Sequence, residues 1–331
     1  MRHGPQTLIV SITRLGEVTV PSGELLLLDG GYLGLWSGDR APESVRGPDI
    51  PASTDFEIVG ADAEAAARSF DRQPGRTVYD IPHHAAAEFT AMFDAHCREH
   101  GFDATLRPFD AQVPHRDRAR RALNSYFLVS GVPVVCVGGL PADRPLPVTA
   151  TPAAEYEWGE IRVEIADAPV AATHRIGDIG VDWARFAIGD ADALNAWIHE
   201  DAIDGRADIV FWGRDADEVA ARVGSPRSGD GEHGWVDLPV TEALVHAHEL
   251  DALRSSPDGP RFAFDFRPHS HHWRVMAGVR AADHGAATIE VGGATVLFAM
   301  TSIGDGFFPV DLDVDADGAP VAVRIAVTLD D

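Results

Sequence analysis

The chain has 331 residues, with 27 arginines, no lysine and 52 acidic residues, so its net charge at pH 7 is −25. This charge disfavours binding to nucleic acids and anionic membranes, and the lack of lysine excludes a Schiff-base or phosphate-binding lysine. No apolar run is long enough to span a bilayer, and the first residues lack the pattern of a secretion signal. Two cysteines, Cys97 and Cys136, indicate a reducing compartment, so we predict a cytoplasmic protein.

The first part of the chain opens with apolar strand-like segments, LIVSITRLGEVTV and GELLLLD. The second is a nearly continuous apolar run, which is typical of a buried strand. DFEIVG predicts a short strand that leads into an alanine-rich helix, and Asp62 stands where a helix cap is expected. RTVYDIP predicts another strand, which Pro82 ends. The next segment, 83–100, predicts the best helix of this part.

That helix has an apolar stripe at spacings of three and four residues, formed by Ala86, Phe89, Phe93 and Cys97. Gly101 follows as a helix stop. A similar stripe, Ala243, Ala247 and Leu250, predicts a helix over 240–253.

The chain contains an internal repeat. VGADAEAAARSF, from residue 59, resembles WGRDADEVAARV, from residue 212, with Gly60 aligned with Gly213. Upstream, RLGEVTVPSGELLLLDGGYLGLW aligns with RIGDIGVDWARFAIGDADALNAW, and near the ends VSGVPVVCVGGLPADRPLPV aligns with VGGATVLFAMTSIGDGFFPV. Matches in the same order, about half the chain apart, indicate a tandem duplication of whole domains.

We place the boundary after Asp167, because the strand-like EIRVEI (160–165) closes the first copy. The sequence thus predicts two tandem homologous domains, 1–167 and 168–331, which we call half one and half two. Strands and helices are mixed without a regular βαβ alternation, so the predicted class is α+β, β-rich, with an antiparallel or mixed sheet and one or two helices per domain. Each half is expected to fold around its own core.

The segment GDGFFPV (304–310) is distinctive because two glycines flank Asp305. One interpretation makes Asp305 a ligand or acid, and the other makes the segment a turn that enters a core strand. The following DLDVDADG resembles the start of a calcium loop, but its twelfth position is Arg324 instead of glutamate. DADG (315–318) between two apolar runs also predicts a hairpin turn.

RPHSHHWRV is the densest histidine cluster. If this segment is extended, His269 and His271 lie on one face of a strand and His272 on the other. Such a pair is a possible half-site for zinc or iron, and Asp305 or Asp265 can add a carboxylate. The corresponding segment of half one, VPHRDRARR, contains a single histidine, His115. The alternative interpretation is a polar loop or strand start. Sequence motifs for a dinucleotide, a nucleophilic serine or cysteine, or a kinase are absent, and both cysteines are predicted to be buried packing residues.

VPSGELLLLDGGYLGLW together with TSIGDGFFPVDLDVDADGAPVAVRIAV resembles the uncharacterised bacterial DUF4241-like proteins. Half one keeps the first motif best, at Ser22, Gly23, Asp29 and Tyr32, and half two keeps the second. The second motif's residues are Gly304, Asp305, Gly306 and Pro309. The resemblance implies a fold and no particular chemistry.

Three functions agree with these observations. The first is a non-catalytic binding protein, for example an immunity protein that blocks a basic toxin, because residues 167–331 hold 29 acidic residues and 12 arginines, a net charge of −17. It needs no cofactor. The second is a metal-dependent hydrolase with a divalent ion at His269, His271 and Asp305. The third is a groove between the two halves for a peptide or small ligand.

Overall fold

The computed structural model describes residues 12–47, 49–154, 157–229 and 231–327. The N-terminal segment that lacks a secretion-signal pattern, and the start of the predicted opening strand, therefore lie largely outside the described residues. Among the described residues, no helix combines the length and the apolar character needed to cross a membrane.

Half one contributes strands and helices that alternate irregularly along the chain. Its strands are β1 (Thr13–Val18), β2 (Glu24–Asp29), β3 (Ser53–Val59), β4 (Thr77–Pro82), β5 (Thr105–Pro108), β6 (Ser125–Val129), β7 (Val132–Gly138), β8 (Leu146–Ala154) and β9 (Glu157–Glu164). Its α-helices are α1 (Ala63–Phe70), α2 (Ala86–His100) and α3 (His115–Arg121).

Half two repeats this order with one additional short strand, β13. Its strands are β10 (Ala172–Val181), β11 (Arg185–Asp190), β12 (Arg206–Trp212), β13 (Arg227–Gly229), β14 (Glu232–Pro239), β15 (Ala263–Pro268), β16 (Ala286–Val291), β17 (Ala294–Met300), β18 (Gly306–Val314) and β19 (Pro320–Ala326). Its α-helices are α4 (Ala216–Val223), α5 (Val240–Arg254) and α6 (His271–Ala281). Short 3-10 helices cover Tyr32–Leu35, Pro42–Ser44 and Ala193–Ala196. The predicted α+β class is confirmed, but among the described residues each half has three α-helices, where one or two were predicted.

Most predicted elements form for the expected local reasons. The apolar stripe of α2 places Phe93 and Cys97 in the interior, and the helix ends at Gly101, whose φ of +70° is left-handed. The four consecutive leucines of β2 are fully buried. Asp62 is not a side-chain cap of α1, because its Oδ2 accepts a hydrogen bond from the amide of Asp103 at 2.9 Å instead.

The repeated segments VGADAEAAARSF and WGRDADEVAARV contain the same turn in both halves. Gly60 follows β3 with φ +129°, and Gly213 follows β12 with φ +128°. A Cβ atom at Gly60 would lie 2.3 Å from the carbonyl oxygen of Asp103, so only glycine fits there.

Two six-stranded sheets combine strands of both halves. The first has the order β1-β8-β9-β19-β18-β10 and the second β16-β17-β11-β2-β7-β6. At the centre of the first sheet, Val163 of β9 pairs with Val323 of β19, and at the centre of the second, Leu27 of β2 pairs with Ile188 of β11. In the first sheet, β1, β8 and β9 of half one correspond to β10, β18 and β19 of half two. In the second, β2, β7 and β6 correspond to β11, β17 and β16. If each strand is replaced by its counterpart, each sheet has the same strand order read from the opposite end.

The core between these sheets is therefore shared, contrary to the expectation that each half folds around its own core. One cluster of buried apolar residues contains Leu27 and Val163 of half one together with Ile188 and Val323 of half two. The physical reason is that β2 and β11 are apolar on both faces, so each needs a hydrogen-bonded neighbour on both sides as well as cover on both faces.

The compact units of the structure do not follow the boundary predicted at 167/168. One unit comprises residues 1–197 and 278–331, and the other comprises Ile198–Ala277. The predicted boundary lies between β9 and β10, within the first unit. The first unit also contains the small sheet β4-β3-β5 with α1 and α2, and the second unit contains the sheet β13-β14-β12-β15 with α4 and α5. Each small sheet packs its helices over its own apolar cluster.

Candidate functional site

The two histidines of the predicted metal pair do not share a strand. β15 ends at Pro268, His269 follows it, and His271 is the first residue of α6. The hydroxyl of Ser270 accepts a hydrogen bond from the amide of Trp273 at 3.2 Å, which is how a serine begins a helix. The segment is therefore not extended from His269 to His272, which was the condition for His269 and His271 to share one face of a strand.

The ring of His269 lies between two carboxylates. Its Nδ1 is 3.0 Å from Oδ2 of Asp204, and its Nε2 is 3.1 Å from Oδ1 of Asp208. Burial disfavours the charged ring, but the hydrogen bonds to Asp208 and Asp204 outweigh it and raise the pKa of His269. Because only the imidazolium donates from both nitrogens, this geometry fits the protonated ring.

The carboxylates on either side of His269 have further partners. Asp208 Oδ1 accepts the amide of Asp237 at 2.7 Å, and Asp204 Oδ2 accepts Nη2 of Arg274 at 2.5 Å. Burial opposes the charged form of Asp204, yet the hydrogen bond from His269 and the neighbouring positive charges lower its pKa. We call Asp204, Asp208, His269 and Arg274 the His269 cluster. Its donors and acceptors match one another, as in a structural ion network.

The remaining predicted ligands have other contacts. His271 Nδ1 accepts a hydrogen bond from the amide of Ile198 at 2.9 Å. Asp305 belongs to the other compact unit, where its Oδ1 accepts the amide of Ala184 at 2.9 Å. Among the described residues, no group of three or more His, Cys, Asp or Glu side chains is arranged to hold a metal ion. The metal site predicted at His269, His271 and Asp305 thus stays a prediction.

Half one has a related cluster, which is closed to solvent. Asp55 Oδ1 accepts the amide of Asp80 at 2.9 Å, as Asp208 accepts that of Asp237, and Asp80 and Asp237 have φ of +60° and +58°. In half one the cation is Arg118, whose Nη2 is 3.1 Å from Asp55 and Nη1 2.9 Å from Asp80.

The side chain of Arg118 is fully buried. It also donates to the carbonyl oxygens of Val113 and Leu128, and its guanidinium lies over the ring of Tyr79, 4.4 Å from the centroid. Burial raises the pKa of Asp55, although the charge of Arg118 acts against this. A cation enclosed in this way holds the fold together and is unavailable to a substrate.

His115 corresponds in structure to His271 and not to His269. It is the first residue of α3, and its Nδ1 accepts the amide of Ser37 at 3.0 Å, as His271 accepts that of Ile198. Burial, and then the charge of Arg118, lower the pKa of His115 well below its ordinary value. This ring is therefore neutral and has a structural role.

The residues that carry the DUF4241-like resemblance form reciprocal contacts between the halves. Asp29 Oδ2 accepts the amides of Asp182 and Trp183 at 2.7 and 3.0 Å. Asp190, its equivalent, accepts the amide of Ser22 at 2.7 Å. Burial raises the pKa of Asp29 against the effect of three backbone hydrogen bonds.

The GDG motif has a similar role, since Asp305 binds the turn between β10 and β11 through Ala184. The DADG segment forms the predicted hairpin between β18 and β19. Asp315 Oδ1 accepts the amides of Asp317 and Ala319 there, both at 2.9 Å. The aspartates of both segments thus bind backbone amides of turns.

Both cysteines are buried free thiols, as predicted. Burial raises the pKa of Cys97, with the charge of Asp94 adding to the effect, and burial raises the pKa of Cys136 to about 12. Because the thiolate is the nucleophile, neither residue is suited to nucleophilic catalysis.

A cavity of about 390 Å³ lies at the ends of β8, β9 and β19 in the first six-stranded sheet, next to Arg144, Arg162 and Glu164. Arg162 Nη1 is 3.3 Å from Asp313 Oδ2, and Arg144 donates to the carbonyl oxygen of Ile165. Its cations are therefore engaged by the protein's own acceptors.

The sequence did not predict Arg118 or the buried pair Asp55 and Asp80 as a cluster. The repeat held a signal, because Asp80 aligns with Asp237. Arg118, however, stands in the segment HRDRARR (115–121), whose four arginines resemble an ordinary solvated surface.

No protein-family model, curated protein or solved structure matches this chain. The fold and the two related clusters therefore define it as an α+β protein with an internally repeated architecture, and the resemblance to DUF4241-like proteins stays a prediction.

Proposed function

We propose that this chain is a non-catalytic cytoplasmic binding protein whose partner is a basic protein, and that it acts as a toxin-neutralising immunity protein. The observation that carries the proposal is the charge, −25 overall and −17 in residues 167–331. A partner of opposite charge would associate rapidly, and the association rate would fall as salt is added.

The side chains that would serve an enzyme are engaged within the fold. Arg118 is enclosed by Asp55 and Asp80, both ring nitrogens of His269 contact carboxylates, and both thiols are buried. These contacts favour a structural role for each group, and this supports binding over catalysis.

The test begins by capturing partners from a lysate on the immobilised full chain at low salt. A captured basic protein is then purified, and its affinity is measured as a function of salt. We expect affinity to fall steeply with salt. An immunity role further predicts that the partner inhibits growth when expressed alone and not when co-expressed with this chain.

Two matched charge variants sharpen this test. E200Q/D201N/D258N removes three exposed charges from half two, and E88Q/D110N/D143N removes three from half one. We expect the half-two variant to bind more weakly. Recovery of no basic protein at low salt, or an affinity that does not respond to salt, would contradict the proposal.

The alternative function, a metal-dependent hydrolase at His269, His271 and Asp305, has its own test. A metal would have to replace the hydrogen bonds of His269 to Asp204 and Asp208, because a ligating nitrogen must be unprotonated. Elemental analysis of the purified protein decides this. Less than one metal equivalent, with no thermal stabilisation by added zinc, manganese or calcium, ends the alternative.

A further inference from the structure

Two large aromatic side chains of half two lie at the protein surface, Trp183 in the turn between β10 and β11 and Phe307 near the start of β18. Trp183 is 56 % exposed and Phe307 is 71 % exposed. Among the described residues, they are the phenylalanine and tryptophan side chains with the greatest exposure. Such rings are costly to leave in water and are enriched where proteins bind partners.

Backbone pairing brings both rings to one end of β10. Gly180 pairs with Phe307, and a Cβ atom at Gly180 would lie 3.5 Å from that ring. Trp183 lies three residues further along, in the turn between β10 and β11, which Asp305 binds through the amide of Ala184. Asp182 and Asp305 are themselves exposed. We call Asp182, Trp183, Asp305 and Phe307 the Trp183 surface.

Half one forms the equivalent turn without these aromatic rings, although the ring of Trp183 packs on Gly31, where a Cβ atom would lie 2.4 Å from it. Ser22 takes the place of Trp183, and each donates its amide to the aspartate of the opposite half. Pro145 takes the place of Phe307. Pro145 precedes Leu146, which pairs with Val18, and Phe307 precedes Phe308, which pairs with the equivalent residue Ile179. The same turn forms in both halves, so the exposed rings are a feature of half two alone.

The surface has the chemistry that a guanidinium group requires. The ring of Trp183 already has one cation near it, Arg185, whose Cζ is 5.5 Å from the ring centroid. The carboxylate of Asp182 accepts a hydrogen bond from the hydroxyl of Tyr32 at 2.7 Å, which holds it beside the turn. An arginine can stack its planar head on an aromatic ring and donate to a carboxylate at once, whereas the lysine ammonium group has no planar face to stack.

We propose that the Trp183 surface binds an arginine-bearing segment of a basic protein partner. This inference rests on the proposed function and adds the place of contact and the side chain recognised. Arginine side chains of the partner stack on Phe307 and Trp183 and form ion pairs with Asp182 and Asp305. The negative charge of half two attracts the segment, and the rings select arginine over lysine.

The test uses two fluorescent peptides of equal length and charge, one alternating arginine with glycine and the other alternating lysine with glycine. Their affinities for the full chain are measured by fluorescence polarisation at low salt. The variant W183S/F307A removes both rings, and V236S/V245S, which alters two equally exposed side chains elsewhere, is the matched control. We expect the arginine peptide to bind more tightly, with about a tenfold loss in W183S/F307A and no loss in the control.

Ser22 in the equivalent turn indicates that W183S will fold, and circular dichroism checks this. If the double variant does not fold, F307A alone is measured, because its side chain is the more exposed. Equal binding of both peptides, unchanged by the ring variants, overturns the Trp183 surface while leaving the proposed function standing. Binding of neither peptide by the wild-type chain at low salt contradicts both.

Discussion

Asp190 accepts hydrogen bonds from both the amide and the hydroxyl of Ser22, at 2.7 Å and 2.6 Å, across 168 residues of sequence. Asp29 binds the equivalent turn of half two through Asp182 and Trp183. Each half thus supplies a buried carboxylate that binds a turn of the other. These reciprocal contacts hold the ends of the two central strands, β2 and β11, next to the neighbouring hairpins.

The first prediction concerns this contact. S22A removes the hydroxyl donor while keeping the amide, so the buried carboxylate of Asp190 loses one charge-assisted hydrogen bond. We expect the free energy of unfolding to fall by about 1 to 2 kcal/mol, measured by urea titration. S44A is the control, because the hydroxyl of Ser44 donates to the carbonyl oxygen of Ala41 at an exposed site. Equal stability of the two variants would mean that the reciprocal contact is energetically unimportant.

The second prediction compares the equivalent arginines. R118M leaves Asp55 and Asp80 buried without their cation, so we expect a loss of about 3 to 5 kcal/mol or failure to fold. R274M removes an arginine that is 45 % exposed and pairs with Asp204, so we expect a loss of less than about 1 kcal/mol. Denaturant unfolding of both variants checks this order, and a larger loss in R274M would refute it.

The third prediction concerns pH. The pKa of His269 is raised in the folded protein by its hydrogen bonds to Asp208 and Asp204, against the effect of burial. The stabilisation is therefore complete below the unfolded pKa, about 6.5, and is lost as the pH rises through the folded pKa. We expect the stability difference between wild type and H269Q to be larger at about pH 5.5 than at about pH 9.

Urea unfolding at both pH values measures this difference. H248Q, which removes an imidazole at an exposed position of α5, is the control. If the difference in the free energy of unfolding between wild type and H269Q grew with pH, the ring of His269 would be held in its neutral form.

The fourth prediction concerns the thiols. Because Cys97 and Cys136 are buried and their pKa values are raised by burial, we expect neither to react with a thiol reagent in the native protein at neutral pH. Both should react at once in denaturant. Rapid labelling of either cysteine in the folded chain would show an opening of the core that these contacts do not predict.

Local elements were well predicted because their signals lie within a few residues. The stripe of α2, its stop at Gly101 and the DADG hairpin follow from spacing and turn chemistry alone. The repeat also predicted which residues correspond, from Gly16 with Gly177 to Asp80 with Asp237, and these pairs share their backbone angles. The helix that starts at His271 was missed, because three histidines in four residues have no clear period.

The sequence by itself determined the α+β class, the order of the elements and the correspondence of the halves, because these depend on short-range pattern and on the comparison of the chain with itself. Only the tertiary structure decided that the halves share two sheets, since a strand that is apolar on both faces does not state which neighbour it pairs with. The tertiary structure also decided which side chains are buried and which are exposed. Arg118 is buried by partners up to 63 residues away in the chain, whereas Trp183, whose amide binds Asp29 across 154 residues, and Phe307 keep their rings exposed.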